Sequence, residues 1–130
     1  MEKETNEKKK ILIVDDDAFH HGIAENMLGD TYEIYKASSG FEALDYLYSS
    51  GFVPNLILLD ILMPEMDGWE VFNRIKAISI LKNVPIAFLT SLNESSEKER
   101  AFEIGAVDFI IKPYDKDDLT ARVSAILEKT

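Results

Sequence analysis

Short apolar runs alternating with helical spacings set the layout of this chain. Residues 11–14, 56–59 and 86–89 are continuous apolar runs, ILIV, LILL and IAFL. Runs this short and unbroken predict strands covered on both faces. The mixed stretch 32–36 predicts an edge strand, and 107–111 predicts a fifth strand. Between them Phe41, Leu44, Leu47 and Tyr48 repeat at three and four, as do Val71, Phe72, Ile75 and Ile78, and Leu119, Val123, Ile126 and Leu127. That spacing predicts helices with one apolar face. Residues 18–28 and 94–104 predict two weaker helices, each closed by a glycine, Gly29 and Gly105. Pro64 and Gly68 mark a turn after the third strand, with a helix starting near Gly68.

The order is five strand–helix units. Right-handed crossovers then give an α/β fold, a parallel sheet with helices on both faces. The expected arrangement is a flavodoxin-like (βα)5 sheet, strand order 2-1-3-4-5. Residues 1–10, MEKETNEKKK, carry almost no apolar surface and are expected to form a flexible charged tail, leaving 11–130 as one domain. Any output domain is expected to be either absent or outside this chain.

Composition narrows the function. No stretch approaches the roughly 18 apolar residues of a membrane span, and the charged N-terminus is unlike a secretory signal. There is no cysteine, which excludes disulfides and thiolate metal sites and fits a cytoplasmic location. A net charge of −10 argues against direct nucleic-acid binding.

The chemistry gathers where the strands end. The first strand runs into Asp15, Asp16 and Asp17, the third into Asp60, the fourth into Thr90 and Ser91, the fifth into Lys112. In a parallel sheet these carboxyl ends lie side by side. Asp17, just before a helix, has the position of an N-cap. Clustered carboxylates repel one another unless a cation sits among them. Oxygen ligands without His or Cys favour Mg2+, with Mn2+ as the alternative. Lys112 adds an ammonium and Thr90 a hydroxyl, completing a cradle for a phosphoryl group on one carboxylate.

The blocks IVDDD, LLDILMPEMDG, FLTS and IIKPY resemble those of the receiver domain of two-component response regulators. The resemblance runs from about Lys10 to the C-terminus. It implies that Asp60 accepts a phosphoryl group from a phosphohistidine on a sensor histidine kinase or a histidine phosphotransfer protein. It further implies that Asp15, Asp16, Asp60 and the backbone carbonyl of Leu62 hold Mg2+, and that Thr90 and Lys112 contact the phosphoryl group. The Lys112–Pro113 bond is implied to be cis. Thr90 and Phe109 are the implied switch pair. Thr90 moves toward the phosphoryl group and Phe109 rotates inward, which changes the surface of the fourth helix, fifth strand and fifth helix. Relatives often carry Tyr at the Phe109 position; Phe removes any readout through that hydroxyl.

Leu62 and Leu92, two residues beyond Asp60 and Thr90, are expected at the pocket rim. Leucines cannot orient an attacking water, so slow self-dephosphorylation is expected. Arg100, Asp108, Asp118 and Arg122 resemble the charged set through which one transcription-factor subclass dimerises after phosphorylation. Three rivals remain. A haloacid-dehalogenase-like phosphatase would use Asp15 and Asp17, but leaves Asp60 idle and lacks further acidic ligands. A dinucleotide-binding domain would need a glycine-rich loop where three acids stand. A phosphorylation-independent pseudo-receiver would be expected to lack a site residue.

Overall fold

A computed structural model describes residues 7–129. The strands are β1 (Lys10–Val14), β2 (Glu33–Ala37), β3 (Leu56–Leu59), β4 (Ile86–Thr90) and β5 (Asp108–Ile111). The helices are α1 (Ala18–Leu28), α2 (Gly40–Ser50), α3 (Gly68–Lys76), α4 (Ser95–Ile104) and α5 (Lys116–Glu128), with a 3-10 turn at Ser79–Leu81. All pairings are parallel and the strand order is β2-β1-β3-β4-β5, as expected.

The apolar runs divide between two cores because neighbouring strand residues face opposite sides. Leu12, Val14, Ile57, Leu59, Ile86 and Phe88 face α2, α3 and α4, where they meet Leu47, Val71, Phe72 and Ala101. Ile11, Ile13, Leu56, Leu58 and Leu89 face α1 and α5, meeting Ala24, Leu28, Leu119 and Val123. β3 is buried at every position, whereas no β2 residue before Ala37 is fully buried, as befits an edge strand.

Side chains fix where most helices begin. Asp17, Ser39, Asp67 and Asp115 each accept a backbone N–H of the first turn. At α2 the cap is reciprocal: Ser39 Oγ accepts from the Glu42 N–H while Glu42 Oε1 accepts from the Ser38 N–H.

Three expectations change. Lys10 belongs to β1, not to the tail; its N–H donates to Asn55 Oδ1 at 2.7 Å, and the Lys9 carbonyl accepts from Glu33 at 2.9 Å. The tail expectation for residues 1–6 lies outside the described residues. Phe41 and Tyr48 are 55% and 69% exposed, so the buried face of α2 is Gly40, Ala43, Leu44 and Leu47. Ile78 lies beyond α3, which Ala77 closes, and packs on the core from an extended backbone.

Candidate functional site

The parallel ladder carries the site residues to one edge. The Asp60 N–H donates to the Val14 carbonyl at 2.9 Å, the Asp15 N–H to Ala37 at 3.1 Å, and the Lys112 N–H to Thr90 at 2.8 Å. Asp15 and Asp60 are therefore neighbours, each one step past a buried strand, and Lys112 emerges beside Thr90. The Lys112–Pro113 bond is cis, as expected.

Oxygens of Asp15, Asp16 and Asp60 all come within 4.8 Å of one another. Asp15 and Asp60 are buried, 2% and 6% exposed, while Asp16 faces solvent. Three carboxylates with no thiol form a hard oxygen donor set of the kind that Mg2+ takes. The Lys112 ammonium lies 2.6 Å from Asp15 Oδ2 and 3.4 Å from Asp60 Oδ2. Burial pushes the Asp60 carboxyl above its usual range; Lys112 opposes that shift, the Asp15 charge adds to it, and the Leu62 N–H opposes it. That N–H donates to Asp60 Oδ1 at 3.3 Å.

Asp17 does not join the cluster in the same way. Its carboxylate caps α1, accepting from the Phe19 N–H at 2.9 Å, and its own N–H donates to Asp15 Oδ1 at 2.9 Å. A phosphatase that needs Asp17 as its acid would have to unmake that cap. Thr90 is fully buried at the end of β4, and its Oγ1 accepts from the Leu92 N–H at 3.3 Å. Phe109 is already inward: it is 2% exposed, with its ring edge-on to Phe88 at 6.4 Å between centroids. An inward rotation thus has to start from a different state. Leu62, 52% exposed, and half-buried Leu92 line one rim together with Trp69 and Arg100. Of the charged set, Arg122 is bound within the chain to Asp108 at 2.8 Å and Asp118 at 3.1 Å, and the Arg100 guanidinium sits 4.0 Å above the Trp69 ring.

Two neighbours of the cluster had no role assigned from the sequence, although Tyr114 closes the block IIKPY. His20, in the first turn of α1, places Nδ1 2.9 Å from Lys112 Nζ. Tyr114, two residues past Lys112, has its hydroxyl pushed up to about 12 by burial and by the Asp15 charge. His20 follows the acid triplet by three residues, the one local hint that its ring returns to the strand ends. Among the described residues no helix is long and apolar enough to cross a membrane.

The model of the response regulator receiver domain matches residues 11–124. A probable transcriptional regulator, ycf27, from Guillardia theta is 38% identical over 95% of this chain and 47% of its own length. The transcriptional regulatory protein CrdR of Helicobacter pylori is 38% identical over 90% of this chain and 54% of its own. The chain thus spans about half the length of these curated relatives. Among solved structures, a chain from Chloroflexus aurantiacus assigned as a response regulator superposes with a TM-score of 0.86 at 36% identity, covering 94% of this chain and 99% of its own. The chemotaxis protein CheY4 of Vibrio cholerae superposes at 0.84 with 28% identity, covering 92% and 98%. With the fold, the acid cluster and these matches in agreement, the chain belongs to the response regulator receiver family, the switch domains of two-component signalling.

Proposed function

We propose that Asp60 is the phosphoryl acceptor of this switch. An Asp60 oxygen attacks phosphorus, the P–N bond of a phosphohistidine on a sensor histidine kinase or histidine phosphotransfer protein breaks, and the imidazole leaves. The single observation that carries this reading is the Lys112 ammonium bridging Asp15 and Asp60 at the mouth of two buried strands. An ammonium so placed can follow the negative charge from the carboxylates to a transferring phosphoryl oxygen.

Asp15, Asp16, Asp60 and the Leu62 carbonyl are the proposed holders of Mg2+, or Mn2+ in its place. A divalent cation bound there neutralises charge on the phosphoryl oxygens. Asp60, Lys112 and Thr90 then do the work of this chain: attack, charge pairing and sensing. Thr90 moves its hydroxyl from the Leu92 N–H toward the phosphoryl group, and Phe109 reads that movement on the α4–β5–α5 surface. The domain has no substrate turnover of its own beyond acquiring and losing the phosphoryl group. Its output target, its cytoplasmic setting and a phosphorylation-dependent homodimer through α4–β5–α5 belong to the same proposal.

The test is labelling with acetyl phosphate in the presence and absence of Mg2+. Stoichiometric labelling of the wild type that vanishes in Asp60→Ala supports the reading. Labelling that survives in Asp60→Ala but vanishes in Asp15→Ala transfers the acceptor role to Asp15.

A further inference from the structure

We propose that His20 is a positioning residue for Lys112, holding the ammonium at the acid cluster as a neutral hydrogen-bond acceptor. The inference rests on Asp60 being the phosphoryl acceptor and assigns a role to a side chain that no motif marks. Lys112 Nζ has three hydrogens and three partners: Asp15 Oδ2 at 2.6 Å, His20 Nδ1 at 2.9 Å and Asp60 Oδ2 at 3.4 Å. An ammonium only donates, so Nδ1 facing it must carry the lone pair. The proton of the neutral ring then sits on Nε2, which faces Asp17 Oδ2 at 3.7 Å. The 3.4 Å approach of His20 Nδ1 to Asp15 Oδ2 is consequently not an ion pair. Both atoms accept from the same ammonium.

Helix geometry explains how His20 gets there. Side chains in a first turn lean toward the helix N-terminus, which at α1 is the edge where β1 ends. The turn is fixed by its Asp17 cap and by the His20 N–H donating to the Asp17 carbonyl at 3.0 Å. The ring is partly buried, with its side chain 36% exposed, while that of Lys112 is 10% exposed.

The charge state of the third partner matters. A carboxylate at this place would compete with a phosphoryl group for the ammonium. An apolar side chain would leave one ammonium hydrogen unpaired at a site where the Lys112 side chain is only 10% exposed, with Asp15 at 2.6 Å as its one strong partner. A neutral imidazole does neither: it directs the ammonium without adding charge, so Lys112 remains free to turn toward new negative charge at Asp60.

The test compares wild type, His20→Leu and His20→Asn, because the Asn Oδ1 reaches the place of the His Nδ1. Single-turnover phosphorylation by phosphoramidate is measured at saturating Mg2+ over a range of donor concentrations. The maximal rate in His20→Leu is expected to fall about tenfold, the scale of one lost charge-assisted hydrogen bond. The half-saturating donor concentration stays unchanged, and His20→Asn recovers to within about twofold. On a Lys112→Ala background the His20→Leu change has no further effect. Nitrogen NMR shows the Nε2–H tautomer. Equal losses in the Leu and Asn variants, an unaltered Leu variant, a further loss on the Lys112→Ala background, or the Nδ1–H tautomer each overturn the proposal. Asp60→Ala is run alongside: labelling that persists there brings down the acceptor assignment itself and is a separate result.

Discussion

Gly68 packs directly against the backbone of Asp60. A Cβ on Gly68 would lie 2.3 Å from the Asp60 carbonyl oxygen and 2.7 Å from Ile61 Cα. The Gly68 N–H donates to the Ile61 carbonyl at 2.9 Å, which folds the β3–α3 loop back beneath Asp60. Close approach, not an unusual φ, is what demands glycine here. Gly68→Ala is expected to cost about 1–3 kcal/mol, the range for overpacking a tight site. It should also slow Asp60 labelling. Urea denaturation and acetyl phosphate labelling check both; an unchanged midpoint contradicts the packing argument.

Ionising Asp60 costs the folded protein stability. Its carboxyl is held above the unfolded value of about 3.9, so the native state binds the proton more tightly. Stability attributable to this group is therefore full below the unfolded pKa and is lost as pH rises through the folded one. In chelator-treated protein Asp60→Asn is expected to be more stable than wild type at pH 7, with the gap closing as pH falls toward 4. Denaturation midpoints across that window measure it. A gap that stays constant, or reverses sign, removes Asp60 as the cause.

The leucine rim bears on how long a phosphoryl group persists. Leu62 and Leu92 lie on the same lip and offer no side-chain partner to a water. A Leu62→Asn, Leu92→Glu double variant is expected to dephosphorylate roughly tenfold faster, a modest gain for positioned polar groups. The decay of phosphorylated protein on phosphate-affinity gels reports it. Equal or slower decay would falsify the idea.

His21 Nε2 is buried without a hydrogen-bond partner among the described residues. Exchanging it for an apolar side chain removes an uncompensated polar atom from a site 6% exposed. His21→Leu is expected to gain about 1 kcal/mol, at the low end of what an unpaired buried group costs. Thermal and urea unfolding test the sign.

A homodimer through α4–β5–α5 has to work around the existing pairs of Arg122. Its guanidinium already meets Asp108 and Asp118 in the same chain. Beryllofluoride is expected to raise the sedimentation coefficient of wild type and leave Arg122→Ala unchanged. A wild type that sediments as a monomer in both conditions removes the dimer from the proposal.

Much of this was legible in the sequence because the informative residues are local to strand ends. A leucine run stopped by Asp60 places that acid, and the same rule places Asp15, Thr90 and Lys112. Periodicity was less reliable on α2, where Phe41 and Tyr48 sit at helical spacings yet face outward. Three-and-four spacing identifies a stripe but not its width, and α2 covers the sheet with a narrower one. His20 escaped for another reason. Its role depends on α1 and the β5–α5 loop meeting in space, 92 residues apart in sequence, and no local pattern encodes that meeting.

The shared ammonium has a final consequence for how the site reads its inputs. Ionised Asp15, Asp16 and Asp60 with Lys112 leave the pocket two charges short of neutral. A dication alone cancels that deficit, whereas a phosphoryl group alone deepens it. The two inputs are therefore unequal: the first makes room electrostatically for the second. On the proposed chemistry such a pocket would behave as an ordered coincidence detector, with the ion as a permission and the phosphoryl group as the message.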